Sequence, residues 1–199
     1  MKRSVLALIV MTLPLLASCT SQTAAPEDSF YRLDAPTPSE RFSTPLLGGV
    51  LEVERFVADG VTAGRPIAYS EAGRSHEVKE YHYHFWTQPP TVMLRDELVE
   101  FPRATNAATA IVTPDNRVSA SYELTGKIIR LEKVVGATPK GVLTLELSLR
   151  QVSGDRLVFL QTYTAEAVAG SDSVSTAVTA LNQAFSDICA RFRADLSKI

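Results

Sequence analysis

The residues best equipped for chemistry sit together in Tyr81-His82-Tyr83-His84-Phe85-Trp86, which holds two of the three histidines. Two imidazoles two positions apart on a strand project from one face, with Glu80 and Trp86 beside them and Tyr81, Tyr83 and Phe85 opposite. Such a pair supplies two ligands to zinc, which takes three or four. His76 would share that face only across six regular residues, roughly 20 Å along the strand. That is too far to complete one site. No other histidine exists, and nothing nominates a carboxylate to finish the set. His82 and His84 therefore read as solvent- or partner-facing, with Trp86 a candidate interface anchor or a plug between sheet and helix. Metal binding through the two histidines is the competing reading.

Other chemical signatures are missing. The chain has no G-x-S-x-G elbow, P-loop, G-x-G-x-x-G or H-E-x-x-H, so neither the usual nucleophile, phosphate and dinucleotide sites nor a zinc-protease helix is announced. Asp96 and Glu97 are neighbours on a helical stretch and point apart, unlike an acid–base pair. Asp155 and Glu166 fall in turn and strand contexts and read as solvated. The expectation is a protein that is not an enzyme and needs no cofactor.

The N-terminus carries more information. Lys2 and Arg3 precede an almost unbroken apolar run, Ser4 to Leu16, and Ala17-Ser18 supply small residues before a processing site. That is a secretory signal peptide over 1–18, too short for a membrane span. Leu16-Ala17-Ser18-Cys19 further matches a bacterial lipobox, which makes Cys19 the lipid attachment site and the mature N-terminus. Several acyl chains, at about 0.8 kcal/mol per buried methylene, make a stable anchor where one is marginal. Thr20 in place of Asp points to the outer rather than the inner membrane. Residues 19–29, the Cys and the aperiodic stretch TSQTAAPEDS, read as a flexible tether.

Removing residues 1–18 leaves 181 residues with 18 basic and 22 acidic side chains, a net charge of −4. That size suits one domain with a real core, here 30–199. The balance argues against nucleic acid or an anionic membrane surface as main partner. With Cys19 lipidated, Cys189 has no partner for an intrachain disulfide, and its place on an apolar helical stripe makes it a buried structural thiol.

These residues must be positioned by sheet and helix. Phe30 to Leu33 reads as an edge strand or docked arm. Val50–Val57 is a strand with Leu51, Val53 and Val57 inward, and Ile67–Ser70 is another. Residues 76–86 form a third, ended by Thr87-Gln88-Pro89-Pro90, with Pro90 opening a helix that Pro102 limits. Ala110–Val112 is short. From Ser119 to Ala169 three alternating runs form an antiparallel meander, with Leu143, Leu145, Leu147 and Leu149 at every second position and Ser153-Gly154-Asp155 as a hairpin turn. Beyond Ser173, Val174, Ala177, Val178, Leu181, Phe185, Ile188, Phe192 and Leu196 mark an amphipathic helix of about six turns. The sum is a single α/β domain of six or seven strands covered by two main helices.

The order of features is similar to that of a known family. Cys19, Tyr31-Arg32-Leu33, the Ile67-Ala68-Tyr69-Ser70 strand, Tyr83-His84-Phe85-Trp86 leading to Pro89-Pro90, and Ala180-Leu181-Asn182-Gln183-Ala184-Phe185 together resemble the ABC-type transport auxiliary lipoproteins, which include the lipoprotein of the paraquat-inducible complex. The resemblance implies a mixed sheet and a periplasm-facing, non-catalytic accessory subunit. It would dock a mammalian-cell-entry (MCE) type periplasmic protein, with its ABC ATPase–permease, in phospholipid traffic between membranes. MCE assemblies are rings, so a matching homo-oligomer follows by analogy. The competing class is a periplasmic metal-binding protein or metalloenzyme built on His82 and His84.

Overall fold

The structure, a computed structural model, describes residues 26–35 and 40–199. Its spine is a long strand, β7 (Tyr122–Val135), paired antiparallel along its length with β8 (Lys140–Gln151), which pairs antiparallel with β9 (Arg156–Val168). This is the expected meander. Gly154 and Asp155, both at positive φ, turn β8 into β9. The even positions of β8 carry polar side chains such as Thr144, Glu146 and Ser148, while Leu143, Leu145, Leu147 and Leu149 are fully buried. Each such leucine is worth about 1.5–3 kcal/mol of burial, as an upper bound.

The other edge of β7 is shared. Its first residues pair parallel with β2 (Leu47–Val53), its middle with the short β3 (Val57–Ala58), and its end with β4 (Pro66–Glu71). The sheet forks there. One branch adds β6 (Ala108–Val112) parallel to β2. The other adds β5 (Arg74–Trp86) antiparallel to β4, and then β1 (Ser29–Tyr31) parallel to β5. The sheet is mixed and nine-stranded, larger than the six or seven strands expected because β2 and β3 are separate and β1 is a full member.

Two helices pack on the sheet. α1 (Pro90–Thr105) lies against β2, β3 and β6, and α2 (Val174–Leu196) lies against β7, β8 and β9. Their shared face is marked by Phe101 and Phe192, whose rings are 6.2 Å apart. The Ser173 hydroxyl accepts from the Thr176 N–H at 3.2 Å and caps α2, satisfying one of the donors that a helix start leaves unpaired. Gly141 lets α2 approach β8: a Cβ there would lie 2.8 Å from the Leu181 backbone nitrogen.

Two expectations are corrected. Val57 is 58% exposed, not inward. The strand breaks at Glu54–Phe56, which shifts the alternation by one residue and hands the core position to Phe56, at 2%. Phe56 lies over Gly126, where a Cβ would come within 2.5 Å of its ring. Pro102 does not limit α1, which runs on to Thr105 and ends at Asn106 in the left-handed conformation. Proline costs most where its ring clashes and its missing N–H breaks a bond mid-helix. In this last turn the Thr105 hydroxyl donates to the Phe101 carbonyl at 3.0 Å, and the Ala107 N–H donates to the Pro102 carbonyl at 3.0 Å.

Candidate functional site

β5 does not run regularly through the histidines. Pro66 of β4 faces Phe85, yet Ala68, two residues on, faces Glu80, five residues back. The extra residues form a bulge, and bulges re-aim side chains. His82 and His84 are therefore separated rather than projected together. His82 is exposed and meets the edge of Tyr83, with centroids 6.5 Å apart. His84 is half-buried and turns toward Tyr81, 5.3 Å away in a T-shaped contact. Its Nδ1 shares a hydrogen bond with the Tyr31 hydroxyl at 2.9 Å, so β1 is stitched to β5 through side chains as well as backbone.

Trp86, read as either an interface anchor or a plug between sheet and helix, is 1% exposed. Its backbone N–H donates to the Arg65 carbonyl at 2.7 Å, and the Arg65 Nε–H donates back to the Trp86 carbonyl at 3.1 Å. The indole is part of the buried hydrophobic core, in keeping with the plug reading, so it anchors the fold. Among the described residues no group of three His, Cys, Asp or Glu side chains is placed to hold a metal ion. Cys19 lies outside the described residues.

The bulge also brings Tyr81 to a charge that sequence reasoning missed. Lys133 on β7 is 1% exposed, yet its ammonium donates to the Tyr81 hydroxyl at 3.2 Å and pairs with the Asp172 carboxylate at 2.9 Å. It also donates to the Asp172 backbone carbonyl, just before the α2 cap. Burial alone would pull the ammonium's pKa down, but the bonds to Asp172 and Tyr81 outweigh it and hold the value above the ordinary lysine range. Tyr69 stacks against Tyr81 with centroids 4.5 Å apart. Tyr31, His84, Tyr81, Lys133 and Asp172 thus form one chain of polar and aromatic contacts from the β1 edge to the start of α2. It can hold four elements, β1, β5, β7 and the start of α2, in register; it presents no nucleophile to solvent.

The opposite face holds a second buried charge. Glu132, 4% exposed, accepts from the Ser70 hydroxyl at 3.0 Å and from Arg130. Beside it lies a cleft of about 240 Å³ whose walls mix Ser70, Glu71, Arg130, Lys140 and Glu166 with Ala72 and Val134. Lys140 is already paired with Glu166 and Arg130 with Glu132, so little unpaired charge remains to draw a ligand. On α2, Cys189 is 5% exposed, as expected of a structural thiol, and burial followed by the nearby Glu97 pushes its pKa far up. It is inert as a nucleophile.

The family model described as the ABC-type transport auxiliary lipoprotein component matches residues 31–192. A crystal structure of a Xanthomonas campestris protein assigned to DUF330 superposes with a TM-score of 0.72 at 20% identity, over 82% of this chain and 92% of that one. An uncharacterized protein of known crystal structure gives 0.68 at 16% identity, over 86% and 99%. A hypothetical protein from Chlamydia trachomatis gives 0.52 at 8%, over 76% and 99%. At such identities the likeness is one of fold alone. No curated protein matches the chain.

Proposed function

The chain belongs to the family of ABC-type transport auxiliary lipoproteins, and on that premise we propose that it is a non-catalytic docking subunit of an MCE-type phospholipid transport system. In this reading residues 1–18 direct export, Cys19 carries the acyl chains, and residues 30–199 hang in the periplasm from the outer membrane. The partner is an MCE-family protein with its ABC ATPase–permease. A homo-oligomer matching an MCE ring completes the reading. The outer edge of β9, unpaired among the described residues and with Leu157, Leu160 and Val168 more than half exposed, supports such self-association, because open apolar edges invite strand pairing.

The observation that carries docking over lipid carriage is the filled interior. Leu143, Leu145, Leu147 and Leu149 meet Leu181, Phe185, Ile188 and Phe192 with every one of these side chains at 2% exposure or less. An acyl chain needs an apolar cavity, and small-molecule sites generally run to about 300–1,000 Å³. The 240 Å³ cleft is smaller and flanked by the Lys140–Glu166 ion pair.

Mild crosslinking in cells followed by affinity purification tests the reading. An MCE protein together with an ATPase and a permease should co-purify. Their absence from the crosslinked material, with the lipoprotein itself recovered, overturns the docking role.

A further inference from the structure

Phe30, on the edge strand β1, is 56% exposed, and its ring lies 5.8 Å from that of Phe85 on β5. Tyr83, two residues before Phe85, is 41% exposed. The Arg65 guanidinium lies over the Phe30 ring at 5.7 Å. Val61, 38% exposed, stands in the adjoining 3-10 turn Gly60–Ala63. None of these side chains is needed by the polar chain on the core side of the same strands, where Tyr31, His84 and Trp86 point. Three aromatic rings, and an arginine whose Nε–H also bonds the Trp86 carbonyl, are therefore grouped on one corner.

What covers this corner follows from where the chain leads. Phe30 is eleven residues from Cys19. That span cannot exceed about 40 Å even if fully extended. The acylated end keeps the corner within reach of its own bilayer at every moment, at an effective concentration in the millimolar range, so even a weak contact is populated. Aromatic rings and arginine are the side chains that settle at headgroup level. The surrounding charges, Arg32 and Arg65 against Glu27, Asp28 and Glu80, do not make a basic cluster. The surface suits a zwitterionic lipid interface rather than an anionic one.

We propose that Phe30, Tyr83, Phe85 and Arg65 form an interfacial membrane contact that seats the domain against the bilayer holding its acyl chains. The proposal rests on acylation of Cys19. Contact at this corner orients the domain, turning the β9 edge and the meander away from the lipid and toward the periplasmic space.

Full-length acylated protein in phosphatidylcholine vesicles tests it, with a nitroxide at Phe30→Cys and, in a second sample, at Leu157→Cys on the far edge. Cys189 is buried and does not compete for label. The ratio of oxygen to nickel-chelate accessibility should be at least about threefold higher at position 30 than at 157, and unchanged in about 0.5 M salt. Equal, water-like ratios at both sites in protein whose N-terminal peptide carries acyl chains by mass spectrometry overturn the contact and leave the anchor standing. An unmodified Cys19 removes the anchor and the contact together.

Discussion

Lys133 is a cation in a nearly dry position, held by one carboxylate, one phenol and one carbonyl. Its partner Asp172 is largely exposed, at 60%, so the pair is worth less than a fully buried one. We expect Asp172→Ala to destabilise the domain by about 1–2 kcal/mol in urea unfolding. In a Lys133→Met background the same change should cost less than about 0.5 kcal/mol, because the charge that needed the carboxylate is gone. The lysine's pKa is raised in the fold, so its contribution is complete below the unfolded value and fades as pH climbs through the folded one. The stability gap between wild type and Lys133→Met should therefore hold up to about pH 10 and shrink above it. A gap that instead widens above that pH contradicts the pairing. None of this was legible from Glu132-Lys133 as letters. An unbroken alternation starting from Ile128 would have put Glu132 inside and Lys133 outside. The irregularity between Ile128 and Arg130 switches the phase, and the doubled Ile128-Ile129 was its only trace in the sequence. Cys189, by contrast, could be read at once, because a helical stripe leaves a residue at that phase nowhere else to go.

Elements were easier to read than their interruptions. The meander, the hairpin at Gly154 and the capped C-terminal helix all follow from period and turn chemistry, which act over a few residues. The break that exposes Val57 and the bulge that parts His82 from His84 depend on partners far along the chain, in β7 and β4. A single strand's letters do not record those. Trp86 shows the same division: its place at a strand end before Pro89-Pro90 was visible, while the choice between interface anchor and core plug is made only by the folded core it joins. The seat of α2 offers a test at this scale. Gly141→Ala places a methyl 2.8 Å from backbone rather than from a movable side chain. The helix must shift, at a cost of about 1–3 kcal/mol, measured as a lowered denaturant midpoint. An unchanged midpoint would mean that α2 is not held at this distance.

At the scale of the molecule, the proposed anchor and the fold should be separable. The lipobox lies seven residues before the first described residue and ten before β1. Cys19→Ser should therefore move the protein from the membrane to the soluble periplasmic fraction without altering its melting temperature by more than a degree or so. A large drop in melting temperature would mean that the acylated segment also packs on the domain. Fold class and the two covering helices were legible here, since alternating and helical periods leave few ways to bury their apolar faces. The fork at β7 was not. Which strands a central strand adopts on its second edge is settled by three-dimensional competition among short segments, and β2, β3 and β4 carry no label of order.

That shared strand sets a timetable. β2 and β4 find their central neighbour only in a segment that begins at Tyr122, so everything upstream lacks its keystone until well over half of the polypeptide has appeared. β4 with β5 and β2 with β6 can pair before it, but the two branches are joined into one sheet only when β7 arrives. Under the export proposed above, that joining would wait until Tyr122–Val135 had followed them across the membrane, a slow, distant closure of the kind that high sequence separation imposes.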